Sequence, residues 1–403
     1  MTKTPFLMRC TIIALALLMP CFVMAQKKEL SQARTYIKSG KDFDKAENLM
    51  TGLLKNPDNR TNERIYLTWY EAVKLQYLAA NEKLYLKQKY DTAAFYNLIR
   101  RMYDITEALD SLDAQPDAKG RVKLDYRKGH AREMDELRRN LYFGGTYNLR
   151  KTDYQTAFRF FSTYIDADCQ PLFEGYDYLK RDTMMPEAAY WATFCGFKKA
   201  DATMTLKYSQ LALKSEPKAR FTLQYMCEAY LQQHDTVNYV KTLAEGFRRF
   251  PNYPYFFPRL ASYYNAHCMS DSVIVIADQA LKQYPDKPLF LLAKSLALLT
   301  LDRNDECISV SKALIALDEK QPEPHFNIAT AYLNQALVLE RKNEPRLYRQ
   351  QLTELYSNAQ PYMETYRKLR PEDKAKWAPA LYRIYLNLNM GKQFEEIDRL
   401  MRK

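Results

Sequence analysis

Between residues 212 and 332 the apolar pattern returns every 34 residues. Small or apolar residues stand at Ala212, Gly246, Ala280 and Leu314, each followed by a large apolar one, Leu213, Phe247, Leu281 and Ile315. Small residues recur at Cys227, Ala261, Ser295 and Ala329, and bulky ones at Tyr230, Tyr264, Leu298 and Tyr332. Pro217, Pro251 and Pro285 keep the same step. A fixed period of this length marks a repeat architecture. Within a period the spacing is helical: Phe257, Ala261 and Tyr264 share a face, where the small residue lets a second helix approach and its bulky neighbours fill the space around it. Each proline lacks a backbone N–H and clashes with the preceding turn, so it closes a helix at a corner. The predicted elements are therefore pairs of helices, A then B.

The same texture covers the rest of the chain less regularly. Asp153 to Ala157 with Phe160, Phe161 and Tyr164 reads as a helix B behind Leu141 to Gly145, and Tyr90 to Ala94 begins another behind a long helix over residues 62–87. Ser39 to Pro57 reads as a shortened first repeat. Residues 323–371 read as a repeat enlarged by about eighteen residues, with Pro361 expected to kink or restart its second helix, and Trp377 onward as a last hairpin turning at Met390-Gly391-Lys392. The longest loop is expected over Asp168 to Met185 and a shorter one over residues 114–120. The expected domains are an irregular part, 26–167, and a regular part, 186–403.

The period and its residue classes resemble the tetratricopeptide (TPR) repeat. Leu223, Met226, Cys227, Tyr230, Gly246 and Pro251 fill most of that pattern's roles in one repeat, and Phe257, Leu260, Ala261, Tyr264, Ala280 and Pro285 in the next. Lys294 and Glu319 depart from it, leaving the register around 287–319 open by about one position. The resemblance implies an all-α fold, an α-solenoid wound as a right-handed superhelix of about nine helical hairpins of TPR type. It also implies a concave groove lined by the A helices, with Gln224, Glu228, Gln232, Tyr255, Ser262, Asn265 and Asn334 facing a protein partner. Each hairpin leaves an apolar face that only the next repeat can bury.

Composition and charge then narrow the class. Ten glycines in 403 residues leave little material for sheet turns. Lys3 and Arg9, the apolar run Thr11 to Leu18, and Val23-Met24-Ala25 have the layout of a secretory signal peptide over residues 1–25, so an exported, periplasmic or outer-membrane-associated chain is expected from Gln26. Leu18-Met19-Pro20-Cys21 departs from a lipoprotein box at the proline, which favours small-residue cleavage over lipid attachment at Cys21. The net charge is +12, but both signs are interleaved, which is the texture of solvated helix faces and not a nucleic-acid stripe. Weak contact with an anionic envelope surface is the one further partner class that charge leaves open.

Reactive constellations are not found in the sequence. His130, His234, His267 and His325 form no metal-ligand pair, and no phosphate loop or nucleophile elbow occurs. His267 and Cys268 are adjacent, about 100° apart on a helix, and are not poised as base and nucleophile. No enzyme, cofactor or metal is expected. The five cysteines after residue 25 are odd in number and separated by whole helices, so no disulfide framework is expected. Asp91-Thr92-Ala93, Asp110-Ser111-Leu112, Asp182-Thr183-Met184, Asp235-Thr236-Val237 and Asp271-Ser272-Val273 resemble an envelope O-glycosylation pattern, yet Asp, Ser and Thr are also the natural caps where helix B begins. The dense Tyr253-Pro254-Tyr255-Phe256-Phe257-Pro258 run reads as packing between repeats in preference to an exposed sticky turn. The expected function is a protein-holding scaffold of the cell envelope; the alternative is a glycan-binding protein of the outer-membrane starch-binding kind, which also carries such repeats.

Overall fold

The structure is a computed structural model that describes residues 26–117, 119–342 and 347–402. The signal-like segment 1–25, with Cys21, lies outside the described residues, as does part of the linker inside the enlarged repeat. Two compact units divide between Asp235 and Thr236. In the N-terminal unit run α1 (26–38), α2 (Phe43–Leu53), α3 (Glu63–Tyr85), α4 (Thr92–Asp113), α5 (Arg127–Arg150), α6 (Tyr154–Asp166), the short α7 (Tyr178–Arg181), α8 (Met185–Lys198), α9 (Ala202–Lys207), α10 (Ser209–Ala212) and α11 (Ala219–Gln232). The C-terminal unit holds α12 (Thr236–Arg249), α13 (Phe256–Ala266), α14 (Ser270–Leu281), α15 (Pro288–Thr300), α16 (Asn304–Leu317), α17 (Pro322–Glu340), α18 (Arg349–Leu369), α19 (Lys374–Asn387) and α20 (Gly391–Arg402). Among the described residues there is no strand. Within each unit helices pack chiefly on their sequence neighbours, an all-α solenoid arrangement of A–B pairs.

The three prolines occupy equivalent corners. Pro217 sits in the turn before α11, Pro251 in the turn before α13 and Pro285 in the turn before α15, each between a helix B and the next helix A. The other corner, from A to B, is set by backbone torsion. Ala200, His234, Cys268 and Asp302, successive members of a 34-residue step, adopt positive φ of 52°, 57°, 57° and 56°. The next N–H in each case folds back onto the last turn of helix A: Asp201 N to Gly196 O at 3.0 Å, Asp235 N to Tyr230 O at 2.9 Å, Met269 N to Tyr264 O at 2.8 Å and Arg303 N to Leu298 O at 2.9 Å. This six-to-one bond is the Schellman closure, which satisfies carbonyls that the helix end leaves open. Lys87, Thr152 and Asn389 turn the α3–α4, α5–α6 and α19–α20 corners in the same conformation. Asp302 thus fixes the register that Lys294 and Glu319 left open. Lys294 is half-buried because its Nζ reaches Asp278 at 2.6 Å, a contact that replaces the apolar side chain expected there.

None of these corners is a glycine, although an L-residue in the left-handed region costs about 1–2 kcal/mol. Ala200 has no side-chain hydrogen bond with which to offset that cost. Ala200→Gly is therefore expected to stabilise the protein by about 0.5–1 kcal/mol, read as an increased midpoint in chemical denaturation. An unchanged or lower midpoint contradicts the strain argument.

The packing explains the residue classes. Phe256 and Phe257 are buried, with the Phe257 ring 4.7 Å from Phe290 and 5.7 Å from Phe247, so the aromatic run at 253–258 is mainly interior. A Cβ on Gly246 would meet the Phe256 ring at 2.3 Å, which is why a glycine stands there. Ser295, buried in the small-residue register, hydrogen-bonds Ser311 at 2.6 Å and accepts from the buried Asn327 Nδ2 at 3.0 Å, tying α15, α16 and α17 together. Asp91, Asp153 and Asp201 cap α4, α6 and α9 through their side chains, and Asp182 accepts from Met184 N at 2.9 Å. Two of the aspartates in the Asp-Ser/Thr triplets therefore act as local backbone caps.

Pro361 lies inside α18, which runs unbroken from Arg349 to Leu369, so it does not restart the helix; buried Tyr356, Ala359, Met363 and Tyr366 flank it. Residues 168–185, expected as a long dividing loop, are packed into the N-terminal unit as two 3₁₀ turns and α7. Leu172 and Phe173 are buried, Phe173 lies 5.7 Å from the Tyr103 ring, and Asp168 accepts from Leu179 N at 2.7 Å. The centre of this packing is Arg138 of α5, only 5% exposed. Its guanidinium lies between the rings of Tyr164 and Tyr178, 3.9 and 3.8 Å from their centroids, donates to Tyr164 O at 2.9 Å and is ion-paired to Asp182.

Candidate functional site

The enlarged repeat builds an open recess in the C-terminal unit. Helices α17 and α18 have 19 and 21 residues, whereas α15 and α16, on which α17 packs, have 13 and 14. At 1.5 Å per residue the surplus is about 9 Å of helix. It overhangs the α15–α16 corner, so the array has a step there. Under the step lies an open cleft of about 650 Å³. Its floor is the corner itself, with Asp302, Asn304 and Asp305. Its wall is formed by Tyr332, Gln335, Val338 and Leu339 of α17, and its far side by Gln351, Glu354, Leu355 and Asn358 of α18.

The wall is braced from behind. Glu340, the last residue of α17, accepts from Tyr356 Oη of α18 and pairs with Arg383 of α19, whose Nε donates to Tyr356 Oη at 2.9 Å. Burial and the Glu340 contact together hold the Tyr356 phenol high, pushed up to about 12, so it stays a donor at any physiological pH. The brace fixes the overhang against three helices, and a pre-formed recess loses less entropy on binding than a mobile one.

The chemistry of the cleft is mixed. Val338, 54% exposed, and Leu339 and Leu355 give the cleft its apolar surface. Asp302, Asp305 and Glu354 bring three carboxylates, and no Lys or Arg is among the described residues that line the cleft. Gln335 Nε2 donates to Asp305 Oδ1 at 2.7 Å. Asn304 is only 8% exposed, and its Oδ1 is buried without a donor. A buried acceptor of this kind favours a ligand that brings an N–H. Such a site can hold an apolar side chain next to a cationic or amide-bearing one; it has no nucleophile paired with a base. No group of three or more His, Cys, Asp or Glu among the described residues is arranged to hold a metal ion. Cys195 is buried with its thiol pushed up to about 12, His267 Nδ1 contacts Tyr263 O at 2.8 Å, and Cys268 is the exposed left-handed corner residue.

The groove residues read from the sequence fall in both units. Gln224 and Glu228 are half-buried on α11, and Gln232 is exposed, its Nε2 donating to Ala200 O at 2.5 Å across a repeat corner. In the C-terminal unit Ser262 lines a shallow recess of about 360 Å³ with Tyr239, Pro258, Arg259 and Tyr263, while Asn265 is exposed. Tyr255 is not a groove residue: it is buried at 6% exposure, because it precedes α13 with its ring edge-to-face on Phe256 at 5.3 Å and covered by the Arg259 guanidinium at 3.8 Å. Asn334 is half-buried on α17; its neighbour Gln335 is the residue that reaches the cleft. The register of Tyr255 and Ser262 continues one period later as Leu289 and Leu296 of α15, both exposed and both absent from the sequence reading. The 34-residue step alone would have found them.

No family model matches the chain, and no curated protein matches it. Among solved structures it is similar to the C-terminal part of a TPR repeat-containing protein from Cytophaga hutchinsonii, at 12% identity and a TM-score of 0.41 over 64% of this chain and 92% of that one. It is also similar to the TPR domain of P58(IPK), at 13% identity and 0.26 over 94% and 98%, and to yeast Tom70, at 14% identity and 0.33 over 94% and 84%. With paired helices, equivalent proline corners and a left-handed turn recurring on a 34-residue step, the chain is an all-α array of helical-hairpin repeats.

Proposed function

We propose that this protein is a non-enzymatic interaction scaffold of the bacterial cell envelope, exported through its N-terminal segment, and that it holds a peptide or helix of a protein partner. The observation that carries the reading is the braced step cleft, which brings together apolar Val338, Leu339 and Leu355, three carboxylates and an unpaired buried acceptor at Asn304. Side-chain pockets flanked by hydrogen-bonding groups are how a surface recognises a peptide without chemistry. Ser262, Asn265, Leu289 and Leu296 add polar and apolar A-helix positions in the same unit.

The test is retention of partners from envelope extracts by the mature chain and by a Val338→Asp, Glu354→Lys double variant. At least tenfold weaker retention is expected for the variant, with Ser262→Ala as a milder control. Equal retention removes the cleft from the reading, and binding to a glycan array with no protein retained replaces the partner class by a carbohydrate. Recovery of the chain in the cytosolic fraction on cell fractionation overturns the envelope assignment.

A further inference from the structure

We propose that the mouth of the Arg138 clamp, in the N-terminal unit, is a separate binding site for an oxyanion: a carboxylate or phosphate group carried on a small molecule or chain end. This goes beyond the scaffold reading and does not depend on it. An open cleft of about 360 Å³ lies over the clamp, and Arg138 is part of its lining. The nearly buried Arg138 spends Nη1 on Asp182 and Nη2 on Tyr164 O and Met185 Sδ, but its Nε is buried without an acceptor.

The charges around it are unequally committed. Asp182 is taken up by Arg138, the Tyr164 hydroxyl and the Met184 N–H, and Asp135 accepts from Tyr178 Oη at 2.8 Å. Arg139 and Arg181 line the same cleft, are exposed, and enter no ion pair among the described residues. Three guanidinium groups therefore face two carboxylates that already have partners. Guanidinium forks match the spacing of carboxylate and phosphate oxygens and bind them in pairs. Tyr176, half-buried with its ring 5.6 Å from that of Tyr178, adds a flat wall suited to a ring or a C–H-rich body next to the anion.

The experiment titrates the full mature chain with inorganic phosphate and, in a parallel arm, with glucuronate, at constant ionic strength so that general screening is matched. Calorimetry reads both arms, and ³¹P linewidths read the first. Saturable one-site binding is expected in at least one arm, and the stronger arm identifies the anion as phosphate or carboxylate. An Arg139→Gln, Arg181→Gln double variant, altered only at exposed side chains outside the clamp and checked for unchanged helicity, is expected to bind at least tenfold more weakly. Absence of saturable binding in both arms, or equal binding by the folded double variant, overturns the proposal.

Discussion

Gly196→Ala is expected to cost the protein about 3 kcal/mol or more, the largest loss for the addition of one methyl group. Gly196 lies in α8, at the contact with α9, and a Cβ there would stand 2.3 Å from the backbone nitrogen of Thr205, 2.6 Å from Met204 C and 2.7 Å from Thr205 Cα. These atoms are backbone, and Thr205 is buried, so no side chain can rotate to make room. Helix α9 has to move bodily, and overpacking of this kind costs about 1–3 kcal/mol, occasionally more. Gly145→Ala is a graded control, because the atoms nearest its Cβ belong to the Phe161 side chain, at 2.6 Å, and a ring can shift where backbone cannot. Gly129→Ala is a control of opposite sign: it lies within α5 with nothing inside 4 Å, so about 0.5–1 kcal/mol of stabilisation is expected from helix propensity. Denaturation midpoints in the order Gly129→Ala, wild type, Gly145→Ala, Gly196→Ala check the argument. A Gly196→Ala midpoint equal to wild type shows that the two helices do not approach this closely.

Arg138→Ala is expected to destabilise by about 3–5 kcal/mol and to release the segment 171–184 to proteolysis, because removing one partner of a buried ion pair leaves the other uncompensated. Arg138→Lys is expected to recover little: an ammonium cannot lie flat between the Tyr164 and Tyr178 rings while also reaching Asp182 and Tyr164 O. Acid gives a second readout. Burial works to raise the Asp182 carboxyl, but hydrogen bonds from Tyr164, Arg138 and the Met184 N–H hold it below its usual value. A carboxyl lowered in the folded state stabilises above its unfolded pKa of about 3.9 and loses that contribution as pH falls through the folded value. The stability gap between wild type and Arg138→Ala is thus expected to narrow below about pH 4. A gap independent of pH, or full rescue by lysine, contradicts the clamp.

Legibility in the sequence followed periodicity. The helix-pair order could be read because buried positions such as Cys227, Ala261, Ser295 and Ala329 must be small wherever two helices touch, and Pro217, Pro251 and Pro285 must stand where backbone hydrogen bonding stops. The A-to-B corners could not, since a torsion angle is shared by Ala200, His234, Cys268 and Asp302 while their side chains have nothing in common. A weaker signal lay one residue later: Asp153, Asp201 and Asp235 each follow a left-handed residue. The step cleft was hidden for a different reason. Its lining residues are ordinary helix-surface types, and only the placement of an overlong pair beside a shorter one brings Asn304 and Val338 to one recess. Arg138 gave no sign among 60 basic residues, because its role depends on partners 26 and 44 positions away.

The unequal helix lengths at the enlarged repeat also set a rule for how such a site can change. Because α17 and α18 run antiparallel and meet at their far ends, inserting one turn in each would raise the overhang by about 5.4 Å while returning every buried side chain to nearly the same face. Depth would then vary in increments of the helical pitch, independently of the apolar contacts that hold the stack together, and a ligand of a different length could be accommodated without redesigning the interior.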